Sequence, residues 1–106
     1  MTNNNEHHMK AKHTPMPWTT IRCEDGMEVL THDAESICVV KHYGDPYNSK
    51  REEANARLIA AAPELLEAAE AYVAHVRGYE DTLSNGERHM LDLCRAAIAK
   101  ATGNTI

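Results

Sequence analysis

The 106-residue chain has no phenylalanine, one tryptophan and only 5% aromatic residues. Leu, Ile and Val number 7, 5 and 5, while 15 alanines supply much of the apolar count. A fully buried Leu contributes roughly 1.5–3 kcal/mol and an Ala much less, so a lone domain of this length would close over a thin core. Self-association as a homo-oligomer is the expected remedy. An excess of base is also missing: 11 Lys and Arg stand against 16 Asp and Glu, a formal charge of −5. That balance argues against a general binder of the phosphate backbone, which needs a basic face. No apolar run approaches the roughly 18 residues needed to span a bilayer. The first twelve residues are polar, with His7, His8, Lys10 and Lys12 where a signal segment would be apolar. The expectation is a cytosolic protein with no membrane partner.

The three cysteines, Cys23, Cys38 and Cys94, form neither an even set nor a Cys-x-x-Cys pair, so free, largely buried thiols are expected and no disulfide framework. The glycines stand singly at 26, 44, 78, 86 and 103, which excludes the glycine-rich phosphate cradle. Seven histidines invite a metal, but Cys23, His32, Cys38 and His42 lack the close ligand pairs of a zinc site. The reading is no metal and no cofactor. No cysteine lies beside a helix start, so no nucleophile is assigned and catalysis is not expected.

What is present divides the chain. Residues 1–12 read as a disordered leader, residues 13–103 as a single α+β domain, and residues 104–106 as a tail. Three β-rich runs, Trp18–Arg22, Met27–Thr31 and Ile37–His42, are joined by short stretches of turn formers and so pair antiparallel. Trp18, after the extended Pro15-Met16-Pro17 segment, anchors the first strand by its large apolar area. Strict alternation puts Ile37 and Val39 on one face and Cys38 and Val40 on the other. Both faces then want cover, one from helices and one from a partner.

Tyr43–Asn48 reads as a loop, and Ser49 with Glu52 forms a capping box that starts a helix. Ala54, Leu58, Ala61, Leu65, Ala68, Tyr72 and Val76 recur at steps of three and four as one apolar stripe. Pro63 breaks or bends the helix near Ala61-Ala62, standing at the start of a second helix. Gly78 ends that helix, and Ser84 with Glu87 caps a last one carrying Met90, Leu91, Cys94, Ala97 and Ile98. The expected architecture is α+β: a small antiparallel three-stranded meander followed by two or three helices packed on it.

Two stretches carry a resemblance, His13-Thr14-Pro15-Met16-Pro17-Trp18 and Glu53-Ala54-Asn55-Ala56-Arg57-Leu58-Ile59-Ala60-Ala61-Ala62-Pro63-Glu64-Leu65-Leu66-Glu67-Ala68. Together with the closing Cys94–Ala101, they make residues 12–102 similar to a widespread group of small phage and prophage proteins. The group usually has glycine where Met16 stands, so no tight glycine turn is implied there. The resemblance implies a phage origin and a host-cytoplasm location, and it supplies no catalytic residue.

Within this acidic chain Lys41, His42, Lys50, Arg51 and Arg57 make one local basic cluster, and Lys50 and Arg51 lie where a helix start offers unpaired amide donors. The ligand-binding candidates are Arg57, Asn55, Arg51 and Lys41. Asn55 and Arg57 lie within the second motif, and a guanidinium can fork onto a carboxylate or phosphate. The plainer role for Arg51 and Arg57 is pairing with acids on the same or a neighbouring helix, while Glu53, Glu64, Glu67 and Glu70 form a solvated face. The leading functional reading is a phage accessory protein without catalysis, sequestering a small anionic host molecule or blocking a host defence protein. The alternative is a small nucleic-acid-associated regulator contacting phosphate through Lys41–Arg57.

Overall fold

The computed structural model describes residues 13–42 and 49–104, with Ser49 described in its backbone alone. The leader 1–12, the loop Tyr43–Asn48 and residues 105–106 of the tail lie outside the described residues, as does the Ser49 half of the capping box. The fold is α+β: strands β1 (Trp18–Cys23), β2 (Gly26–Thr31) and β3 (Ser36–Lys41) precede helices α1 (Ser49–Ala60), α2 (Ala62–Val76) and α3 (Asn85–Thr102). The chain divides at Pro63 into two units, Met1–Pro63 and Glu64–Ile106.

In the first unit the strands form an antiparallel meander in the order β1-β2-β3. The β1–β2 turn needs glycine at its end. Gly26 has φ +146°, and a Cβ there would stand 2.1 Å from the Val40 carbonyl oxygen. The β2–β3 turn is held by Thr31, whose buried hydroxyl accepts from the amides of Asp33 at 3.2 Å and Glu35 at 3.1 Å. The Thr31 backbone joins the same turn, its N–H donating to the Glu35 carbonyl at 2.9 Å and its carbonyl accepting from the Ala34 N–H at 3.0 Å.

Alternation fails in β3. Val29 pairs with Cys38 but Leu30 pairs with Ser36, so a β-bulge leaves Ile37 without a partner. The extra residue resets the pleat, and Ile37, Cys38 and Val40 all pack against the core of Met27, Val29 and Ala56. Val39 alone is turned outward, 39% exposed. It shares the far face of the sheet with Ile21 through their common partner Glu28. The expected grouping of Ile37 with Val39 against Cys38 with Val40 is therefore corrected. Trp18 also packs on this core, its indole N–H directed at the carbonyls of Thr14 and Pro15 at 3.2 and 3.1 Å.

Helix α1 covers the inner face of the sheet, but not with the stripe read from the sequence. Glu52 and Ala56 are buried and Ile59 and Ala60 half-buried against the core, whereas Ala54 is exposed and Leu58 is 63% exposed. The reason is steric and chemical together. Alanine at the contact lets the helix approach the strands closely, and Glu52 is drawn inward by a partner on the sheet, described below. The break falls where expected: α1 ends at Ala60, Ala61 N–H still donates to the Arg57 carbonyl at 3.0 Å, and Pro63 is the second residue of α2. A first-turn amide has no intrahelical acceptor, so proline costs little there.

In the second unit the buried or half-buried positions of α2 are Leu66, Ala69, Tyr72, Val73 and Val76, while Leu65 is 54% exposed and Ala68 exposed. The docked face is again displaced from the expected stripe, meeting it at Tyr72 and Val76. Gly78, at φ +99°, lies just beyond α2. The Ser84–Glu87 capping box is present in both directions: Ser84 Oγ accepts from Glu87 N–H at 3.1 Å, and Ser84 N–H donates to Glu87 Oε1 at 2.8 Å. These bonds hold the Glu87 carboxyl below the usual carboxylate range. Tyr72 O–H donates to the Glu87 carbonyl at 3.1 Å and ties α2 to α3. Partial desolvation, with the Glu87 charge second, pushes that phenol above its ordinary range. Leu91 is buried on α3, with Cys94 and Ile98 half-buried and Met90 and Ala97 exposed. Gly103 closes the helix in the left-handed region at φ +78°.

Candidate ligand site on the first helix

The site is built on one flank of α1. Arg22, opposite the inward Met27 in the β1–β2 register, lies on the helix side of the sheet. Its guanidinium donates to Glu53 Oε2 at 2.5 Å. Four residues along α1, the Arg57 guanidinium stands 3.5 Å from the other Glu53 oxygen, too far for a well-formed hydrogen bond. One carboxylate thus sits between two guanidinium groups. Lys50, exposed and seven residues before Arg57, falls on the same flank. The three bases exceed the single acid, in a chain that is acidic as a whole.

Arg57 is the open member of this group: its side chain is 69% exposed, against 51% for Arg22 and 31% for Glu53. With one loose contact, most of its five N–H donors face water, in the planar fork that matches a carboxylate or phosphate. An exposed ion pair of this kind contributes about 0–1 kcal/mol, so an incoming anion displaces little when it takes the fork.

The other expected ligands do not converge here. Asn55 is two residues from Arg57, roughly 200° around the helix, and shares the opposite flank with Arg51. Both are exposed. Lys41, next to the inward Val40 on β3, belongs by alternation to the far face of the sheet. Arg22 was missed by the sequence reading, although the two-residue period from the inward Trp18 places it on the covered face.

A second polar contact lies at the start of the same helix. Glu52 is 6% exposed, and its Oε2 accepts from the ring N–H of His42 at Nδ1, while its Oε1 is buried without a partner among the described residues. The His42 backbone N–H donates to the Asp25 carbonyl at 2.8 Å. The ring bond ties α1 to the residue after β3, and the backbone bond ties that residue to the β1–β2 turn. The expected capping box lies outside the described residues on its Ser49 side; among the described residues the Glu52 carboxyl is bonded to His42. Among the described residues no group of three His, Cys, Asp or Glu is placed to hold a metal ion. Cys23, Cys38 and Cys94 are free and half-buried. Among the described residues no helix is long and apolar enough to cross a membrane.

These features define a small α+β protein with two guanidinium groups around one carboxylate on the flank of its first helix. The chain belongs to the family described as Salmonella phage P22 protein Y8K6, which it matches over residues 9–105. It is thus a small phage protein, as the resemblance implied. No curated protein and no solved structure matches it.

Proposed function

We propose that this protein is a phage accessory protein that acts by binding, without chemical turnover, and that its Arg57 fork, backed by Arg22 and Lys50, receives the carboxylate or phosphate of a host partner. The partner is a small anionic molecule to be sequestered or an acidic surface of a host defence protein to be blocked, and the place of action is the host cytoplasm. The observation that carries the reading is the Arg22–Glu53–Arg57 arrangement: Glu53 holds Arg22 closely and Arg57 only loosely, one carboxylate against two guanidinium groups. The net charge of −5 disfavours a duplex partner.

The test is capture from host lysate on immobilised protein, with mass spectrometry of the retained small molecules and proteins, repeated with Arg57→Ala. Loss of one charge-assisted contact worth about 1.5–3 kcal/mol weakens retention roughly 10- to 150-fold. Arg57→Ala is expected to keep its melting temperature, since the side chain is largely exposed. Full retention by a folded Arg57→Ala variant contradicts the reading. Steeply salt-dependent binding of duplex DNA or RNA would replace it with the regulator alternative.

A further inference from the structure

Arg22, Glu53 and Arg57 all belong to the first unit, and Glu53 stands where a bound anion would. Arg22 reaches from β1 to Glu53 Oε2 at 2.5 Å, and Arg57 approaches Oε1 from one turn along α1 at 3.5 Å. Two guanidinium groups from separate elements thus converge on the two oxygens of one carboxylate, so both lie within the span of a single oxyanion. Both arginine side chains are more exposed than the carboxylate they share.

We infer that Glu53 is the placeholder of this site, and that the group which takes its place between Arg22 and Arg57 is the phosphate dianion of a small phosphorylated molecule. The inference rests on the ligand-binding function proposed above and narrows it. A lone carboxylate that replaces Glu53 exchanges like for like. It makes the contacts that the tethered carboxylate already makes, and it gives up its freedom of motion to do so. A phosphate monoester brings about two charges and three acceptor oxygens near neutral pH. Two of those oxygens serve the Arg57 fork, which Glu53 leaves mostly open, and the third serves Arg22. An exposed ion pair contributes little, so releasing Glu53 to water offsets only a small part of what the dianion gains. An acidic protein surface offers Asp and Glu carboxylates alone, and the same argument places it behind the phosphorylated molecule.

The test is titration of the full chain with two probes at fixed ionic strength, read by backbone amide chemical shifts, with a thermal melt of each variant in parallel. Inorganic phosphate is used at about pH 8, where it is mainly the dianion, and acetate stands in for the carboxylates of a protein surface. The unsubstituted chain is expected to hold phosphate about tenfold more tightly than acetate, and Arg22→Ala to lose roughly tenfold or more of the phosphate affinity. Glu53→Gln is expected to tighten phosphate by roughly 2- to 5-fold, as removal of an internal competitor does. That gain is expected to vanish when Arg57→Ala is added. Acetate bound as tightly as phosphate by the unsubstituted chain overturns the inference, as does a folded Glu53→Gln chain that holds phosphate no more tightly, a gain that survives Arg57→Ala, or no phosphate binding by either chain. Should Glu53→Gln fail to fold, the comparison of phosphate with acetate on the unsubstituted chain decides. Phosphate binding that depends on Arg57 but not on Glu53 sinks this inference alone; the function it rests on fails on a different result, full retention of the lysate partner by folded Arg57→Ala.

Discussion

The inner and outer faces of α1 are nearly matched in apolar composition, yet only one is docked. The outer face holds Ala54 and Leu58 and lies in solvent; the inner face holds Ala56, Ile59, Ala60 and a carboxylate, and lies on the sheet. Hydrophobicity summed along a stripe does not choose the docked side of an alanine-rich helix, because each of its sides is nearly as apolar as the next. Closeness of approach and one specific polar bond decide it. Ala56 supplies the first and Glu52 with His42 the second.

One substitution made at two neighbouring positions is the strongest way to break this contrast. Ala56→Leu forces four-carbon bulk between helix and strands and should cost about 1–3 kcal/mol. Ala54→Leu, on the exposed side, should stay within about 0.5 kcal/mol. Denaturant unfolding of the two variants side by side reads the difference. Next in size is the polar clamp, which should respond with opposite signs at its two ends. His42→Ala strips the buried Glu52 carboxylate of its donor among the described residues and should destabilise by about 1–3 kcal/mol. Glu52→Met removes the buried carboxylate and its orphan oxygen together, while His42, partly exposed, turns to water; this change should be neutral or slightly stabilising.

The second unit sharpens the contrast from outside, because its last helix joins a docked Leu91 to a complete capping box. Ser84→Ala should cost about 1 kcal/mol of local stability. Acid should act on the same cap. Glu87 titrates below its ordinary 4.5 in the folded chain. Its contribution is therefore complete above that ordinary value and is lost as pH falls through the lowered one. Far-UV circular dichroism of melts taken from neutral to acid pH should show α3 weakening on the acid side, and Glu87→Gln should flatten that dependence.

The strands, the helix break at Ala61 and the Ser84–Glu87 cap were legible in the sequence because each follows from local chemistry: turn formers, a proline at a helix start, a serine three residues before a glutamate. The β3 pleat was not, since a bulge depends on how two strands meet and nothing in Ile37–Val40 announces one. The docked face of α1 was misread for the reason already given, its alanines making several stripes equally plausible. Of the candidate ligands, Arg57 could be picked from its setting. Its companion Arg22 became visible only through the β1–β2 register, and the separation of Asn55 from Arg57 follows from counting the helical turn instead of the distance in sequence.

The most direct test of the central claim, that α1 docks through the Ala56 side and leaves the Leu58 side free, is a pair of denaturant unfolding curves on dilute Ile59→Ala and Leu58→Ala. Adjacent in sequence, these residues lie on different sides of the helix. Ile59→Ala should lower stability by about 1–2 kcal/mol, as expected for a half-buried side chain packed on the core, and Leu58→Ala should lie within about 0.5 kcal/mol of the unsubstituted chain. A loss at Leu58 equal to or greater than that at Ile59 would put the sequence stripe back in the core and contradict the account.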